Sequence, residues 1–144
     1  MERANEVADR LHSVAIHLLR RVRHEDAESP VTPAQASALS VLVYSGPLTI
    51  GQLAAAEQVR SPTMTRVVDQ LVRAGLARRE AVSGDGRRTM AEATEAGTRL
   101  ISEGRQRRVA FLAKRLESLP SSDLKTLQRA AELLAEALDS PHHR

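Results

Sequence analysis

Residues 49–76 read Thr49-Ile50-Gly51-Gln52-Leu53-Ala54-Ala55-Ala56-Glu57-Gln58-Val59-Arg60-Ser61-Pro62-Thr63-Met64-Thr65-Arg66-Val67-Val68-Asp69-Gln70-Leu71-Val72-Arg73-Ala74-Gly75-Leu76. Thr49 followed three residues later by Gln52 is a capping box, in which each side chain satisfies a backbone N–H near the other. It predicts a short helix carrying Leu53 and the alanines, with Val59 in a brief turn after it. Ser61-Pro62 predicts a second start, with serine as cap and proline at the first helical position, where no N–H is needed. Met64, Val67, Val68, Leu71 and Val72 recur three and four apart and share one face. Thr63, Thr65, Arg66, Asp69 and Gln70 fall largely elsewhere around that helix. Gly75 is the expected left-handed terminator, with Leu76 folding back on the last turn.

Beyond Leu76 the texture changes. Residues 76–82 and 87–93 are short segments joined by Ser83-Gly84-Asp85-Gly86, and an Asp-Gly between two such runs signals a β-hairpin. Ala81, Ala91 and Ala93 are weak strand formers. Thr94 caps a long helix to about Leu119, striped by Leu100, Ile101, Phe111, Leu112 and Leu116. Pro120-Ser121 opens a last helix whose Leu124, Leu127, Ala131, Leu134 and Leu138 alternate by three and four, as in a coiled-coil seam. Upstream, Val7, Leu11, Val14, Leu18 and Val22 stripe a helix over residues 4–24. Thr32-Pro33 starts another, carrying Leu39, Leu42 and Val43 and ended by Ser45-Gly46-Pro47.

Composition narrows the functions open to this chain. Its 144 residues are 42% hydrophobic, enough for a core. The absence of Cys excludes disulfides, thiolate metal sites and thiol switches. With one Tyr, one Phe and no Trp, base stacking on aromatic platforms is poorly supported. No apolar run approaches the roughly 20 residues of a membrane span, and the first residues lack the pattern of a secretory signal. A cytoplasmic protein is expected. His12, His17 and His24 are spaced five and seven apart, not the four that pairs ligands on one helix face, so no metal or cofactor is expected. No nucleophile–base pair or glycine-rich phosphate loop marks an enzyme. Net charge is only +3, but residues 60–88 hold seven Arg against three acids, while the remainder has 14 basic and 15 acidic residues. The positive excess is one local footprint, as a polyanion partner requires.

Two short helices and a basic hairpin make a winged helix-turn-helix in a mainly α chain. A helix entering the major groove of duplex DNA needs short polar residues at its tip and an apolar face to seat it. Ser61, Pro62, Thr63, Thr65 and Arg66 meet the first need, with Arg60 just ahead of them; Met64, Val68 and Leu71 meet the second. A wing needs a tight turn and a cation for a narrow minor groove, which Gly84-Asp85-Gly86 and Arg87 or Arg88 supply. Arg66 has an alternative as an intrahelical partner of Asp69 or Gln70.

These residues resemble the MarR family of transcriptional regulators over about residues 7–139. The matching parts are Val31-Thr32-Pro33-Ala34-Gln35, Leu48 to Ala54, Ser61 to Leu71, Gly75-Leu76 and Arg79. Most specific is the wing, Asp85-Gly86-Arg87, followed by Thr94 and Gly97. Ala91 and Ala93 depart from the family, which favours Val and Leu there. The resemblance implies a homodimer held by residues 1–30 and 95–144, with Leu11, Leu119, Leu124, Leu127, Leu134 and Leu138 as candidate interface residues. Residues 31–94 would be the DNA-binding region. The resemblance also implies Arg87 as wing-tip reader, with Asp85 as its brace and Arg73 as a possible partner of Asp85. The implied partner is a pseudo-palindromic duplex operator, and the implied role is repression relieved by a small aromatic or anionic ligand. The alternative is a winged-helix module for protein–protein contact without specific DNA binding.

Overall fold

A computed structural model of the chain describes residues 1–82, 84 and 89–139. The elements are α1 (Glu2–Arg23), a 3-10 turn (His24–Asp26), α2 (Pro33–Ser45), β1 (Leu48–Thr49), α3 (Ile50–Ala56), α4 (Ser61–Arg73), β2 (Ala77–Ala81), β3 (Thr89–Ala93), α5 (Glu95–Leu116) and α6 (Ser121–Asp139). The fold is mainly helical with a small antiparallel sheet, ordered β1-β3-β2.

Local chemistry sets the helix boundaries. The Thr32 hydroxyl accepts from Gln35 N at 3.2 Å while Gln35 Oε1 accepts from Thr32 N at 2.9 Å. Thr49 and Gln52 repeat this reciprocal cap at 3.2 and 3.0 Å. α4 ends as foreseen: Gly75 has φ +73°, its N–H reaches Val72 O at 3.0 Å, and Leu76 N reaches Leu71 O at 2.9 Å. That pair of bonds is the Schellman motif, and its left-handed residue favours glycine. The start of α4 differs from expectation. Ser61 is its first helical residue, the extended Arg60 is the N-cap, and no side chain caps it.

β1 is a two-residue strand that periodicity could not reveal. Leu48 pairs with Ala91 and Thr49 with Met90, and Thr49 then turns the chain into α3 as its cap. β2 and β3 pair from Ala77↔Ala93 to Ala81↔Thr89. Ala91, on the central strand, is fully buried, so its short side chain does not open the sheet to water.

The core joins α2 (Ala38, Leu39, Leu42), α3 (Leu53, Ala54), α4 (Met64, Val68, Leu71), Ala77, Ala91 and Ile101 of α5. Each large side chain buried there contributes about 1.5–3 kcal/mol. α5 enters this core closely. The Thr94 hydroxyl donates to Gly75 O at 2.7 Å and accepts from Gly97 N at 3.1 Å, while Thr94 N donates to Leu76 O at 3.0 Å. A Cβ on Gly97 would lie 2.1 Å from Leu76 O and 3.1 Å from Leu39 Cδ1. Glycine at 97 is therefore a packing requirement.

The chain divides within α5 into two compact units, Met1–Arg108 and Val109–Arg144. In the first, α1 buries none of its residues, and Val7, Leu11 and Val14 stand exposed. Arg108 ties α5 to the segment after α1 by a 2.9 Å ion pair with Asp26. In the second unit, the Arg115 guanidinium lies 3.5 Å over the Phe111 ring. α6 likewise buries no residue. No described helix is long and apolar enough to cross a membrane.

Candidate nucleic-acid interface

The elements around α4 determine what it presents to solvent. Met64, Val68 and Leu71 are buried against α2 and α3. The opposite side exposes Pro62, Thr63, Arg66, Gln70 and Arg73, with Thr65 and Asp69 half-buried on the flank. Four of these fall within about a third of a turn of one another, since residues three, four and seven apart stack on one helix face. Ser61 is exposed in the first turn. The Thr65 hydroxyl donates to Ser61 O at 2.9 Å, which occupies its proton and leaves it only as an acceptor. The first turn of α4 carries uncapped N–H groups and the positive end of the helix dipole.

The arginines of the basic stretch divide into engaged and free. Arg78 lies directly opposite Glu92 and holds it with contacts of 2.8 Å (Nη2) and 2.9 Å (Nε). Hydrogen bonding to Glu92 and the charge of that carboxylate raise the pKa of Arg78 above the usual arginine value. Arg79 Nη2 lies 2.8 Å from Asp69 Oδ1 and donates to Thr65 O at 3.3 Å, so it binds the flank of α4. Arg60, Arg66 and Arg73 make no hydrogen bond or ion pair with the described residues. Asp85, Arg87 and Arg88, and with them the Arg73–Asp85 pairing, lie outside the described residues.

The intrahelical pairing of Arg66 is not the one the structure forms. Its intrahelical partners would be Asp69, three residues on, and Gln70, four residues on. Asp69 is held by Arg79 from β2. The Gln70 Oε1 accepts from Gln35 Nε2 of α2 at 2.8 Å. Both acceptors are engaged from other elements, and Arg66 is left unpaired among the described residues.

The role of Arg79 went unread in the sequence, although a signal existed. Ala77 is buried, and strand side chains alternate, so Arg79 two residues later faces the same way, toward α4. Arg78 faces the other way. The Gln35–Gln70 bond had no comparable signal, because it spans 35 residues. Among the described residues, no group of three or more His, Cys, Asp or Glu is placed to hold a metal.

The sequence profile of the MarR family matches residues 29–88. An uncharacterized HTH-type transcriptional regulator of Mycobacterium leprae is 36% identical over 133 residues, covering 92% of this chain and 93% of its own. The solved structure of a MarR family protein from Bacillus stearothermophilus superposes with a TM-score of 0.85 at 29% identity, covering 97% of this chain and 99% of that one. Wild-type MarR of E. coli in its apo form shares the fold, with a TM-score of 0.75 at 20% identity over 88% of this chain and 94% of its own. With its helix-turn-helix, its three-stranded sheet and a relative alike over nearly all its length, this chain belongs to the MarR family of DNA-binding transcriptional regulators.

Proposed function

We propose that this chain is a homodimeric repressor acting in the cytoplasm, in which α4 of each subunit reads one half-site of a pseudo-palindromic operator. The observation that carries this reading is the face of α4. It pairs an uncapped N-terminus with two arginines, Arg66 and Arg73, that have no partner among the described residues. On this reading Ser61, Pro62, Thr63, Thr65 and Arg66 approach base edges and Arg60 the backbone; of the wing residues, which lie outside the described ones, Arg87 is assigned to the minor groove, Arg88 to phosphate and Asp85 to bracing the wing. Half-sites then lie about 10 bp apart, centre to centre, on one face of the duplex. Residues 31–94 form the DNA-binding region, and residues 1–30 and 95–144 provide dimerisation through Leu11, Leu119, Leu124, Leu127, Leu134 and Leu138. Support comes from the exposed leucines of α1 and α6, which no core of either unit uses; Leu119, by contrast, is half-buried.

Selection of bound fragments from random duplexes is expected to recover an inverted repeat, and unrelated fragments would refute the reading. On the selected duplex, Arg66→Ala is expected to cost about 1–3 kcal/mol. Unchanged affinity in a gel shift would remove Arg66 from the interface. Placed over a promoter, the operator-bound protein is expected to block transcription in vitro; stimulation would reverse the sign of regulation.

Relief by a small anionic ligand is the second part of the proposal. A cleft of about 560 Å³ lies in the first unit, lined by Val31, Leu100 and Ile101, by Arg23 and Arg107, and by the Asp26–Arg108 ion pair, which takes up the one carboxylate among its described lining residues. Its volume falls in the range of small-molecule sites, and its mixed lining suits an aromatic carboxylate. Such a ligand acts by favouring a geometry in which the two α4 helices no longer match the groove spacing. 2-Hydroxybenzoate is expected to weaken operator binding in the wild type and to lose that effect in Arg23→Ala/Arg107→Ala. Equal responses of the two proteins would exclude this cleft.

A further inference from the structure

The geometry points to Arg79 as a positioning residue that sequesters the Asp69 carboxylate, so that α4 can present Arg66 and Arg73 to DNA phosphates and bases. This inference rests on the reading of α4 as the DNA-facing helix.

Asp69 is the only acid on α4. It sits three residues after Arg66 and four before Arg73, the two spacings at which helical side chains meet. The second of these, acid before base at i,i+4, is the favoured orientation. Left to itself, this carboxylate has two consequences on a DNA-binding face. It competes with phosphate for both guanidiniums, and it sets a negative charge against a polyanion, a juxtaposition that suppresses association.

Neither intrahelical pair forms. Arg79 projects from the inward face of β2, takes Asp69 Oδ1 at 2.8 Å and rests on Thr65 O at 3.3 Å. Thr65 and Asp69 are one helical turn apart, so the guanidinium lies along that edge of α4 and draws the carboxylate to the flank. The pair is about two-thirds removed from solvent, with side-chain exposures of 33% for Arg79 and 39% for Asp69. Salt therefore screens it less than it would a fully exposed pair. Arg79 thus counts toward the basic charge of the stretch without being a DNA contact itself.

The test uses the full-length protein and a duplex chosen by selection with the wild type. Operator affinity is measured across a salt series for wild type, Arg79→Gln, Asp69→Asn and the double variant. Arg79→Gln is expected to lower affinity roughly tenfold and to flatten the salt dependence, by about 0.9 in log–log slope for each arginine withdrawn from phosphate. Asp69→Asn is expected to bind at least as tightly as wild type. The double variant is expected to recover to within about threefold of wild type, with the slope restored, because the carboxylate that needed guarding is gone.

Two other patterns overturn the inference. If Arg79 itself contacts phosphate, the double variant stays as weak as Arg79→Gln and its slope remains about 0.9 lower. If the pair is only a structural strut, Asp69→Asn is as damaging as Arg79→Gln and the double variant recovers nothing. Misfolding cannot mimic recovery, since adding a second substitution to a misfolded protein does not restore salt-sensitive binding. A wild type that binds no duplex at all refutes the DNA-facing reading of α4 instead, and does so before any variant is made.

Discussion

Gly97→Ala is expected to lower the free energy of unfolding by about 3 kcal/mol or more. An alanine Cβ would stand 2.1 Å from Leu76 O and 3.1 Å from Leu39 Cδ1. Leu39 can shift its methyl by little, because it is fully buried in the core. The Leu76 carbonyl cannot retreat cheaply, since it accepts the Thr94 N–H at 3.0 Å and follows directly on the Schellman turn. Moving α5 away instead breaks the Thr94 cap on Gly97 N. Urea denaturation reads the loss as a lower midpoint at an unchanged slope. Gly51→Ala is the matched control. Nothing lies within 4 Å of a Cβ there, and alanine favours a helix by up to about 1 kcal/mol over glycine. A Gly97→Ala midpoint equal to that of wild type would mean that α5 does not pack as closely as described.

If the chain dimerises through α6 as proposed, Leu127→Asp combined with Leu134→Asp is expected to yield a monomer and to lower operator affinity by about 10²–10⁴, the avidity two coupled half-sites provide. Both leucines lie on one face of α6, seven residues apart, and are 46% and 40% exposed in the single chain. Carboxylates at these positions disturb no core of the subunit itself. In a dimer seam they bring four buried negative charges together without partners, at a cost of several kcal/mol. Sedimentation and a gel shift on the same samples check the outcome. A folded monomer that still binds the operator with wild-type affinity would dismiss α6 as the interface.

Much of the fold was legible because each boundary is written in residues whose local chemistry is unambiguous. Thr32-Pro33, the Thr49–Gln52 box, Gly75 and Thr94 each fix a helix end with contacts no more than a few residues long. Ser61 is the instructive exception. Serine before proline suggests a cap, but the chain becomes helical one residue earlier, and Arg60 takes the cap position without a side-chain bond. β1 escaped notice because two residues cannot display a period of two. At the candidate site, the exposed and apolar faces of α4 followed from spacing alone. The partners of its polar residues did not, because Arg79 and Gln35 come to α4 from separate elements. Whether Arg66 is free or paired is a tertiary fact, decided by residues that a helical wheel of α4 does not contain.

The junction of Gly75, Leu76, Thr94 and Gly97 has a mechanical consequence. Where side chains mediate a contact, rotamer changes absorb small displacements. Here the Gly97 backbone lies directly against Leu76 O, and one short residue, Thr94, holds two carbonyls and an N–H. A joint this close leaves little slack, so a tilt of the first turns of α5 is expected to carry the end of α4 with it.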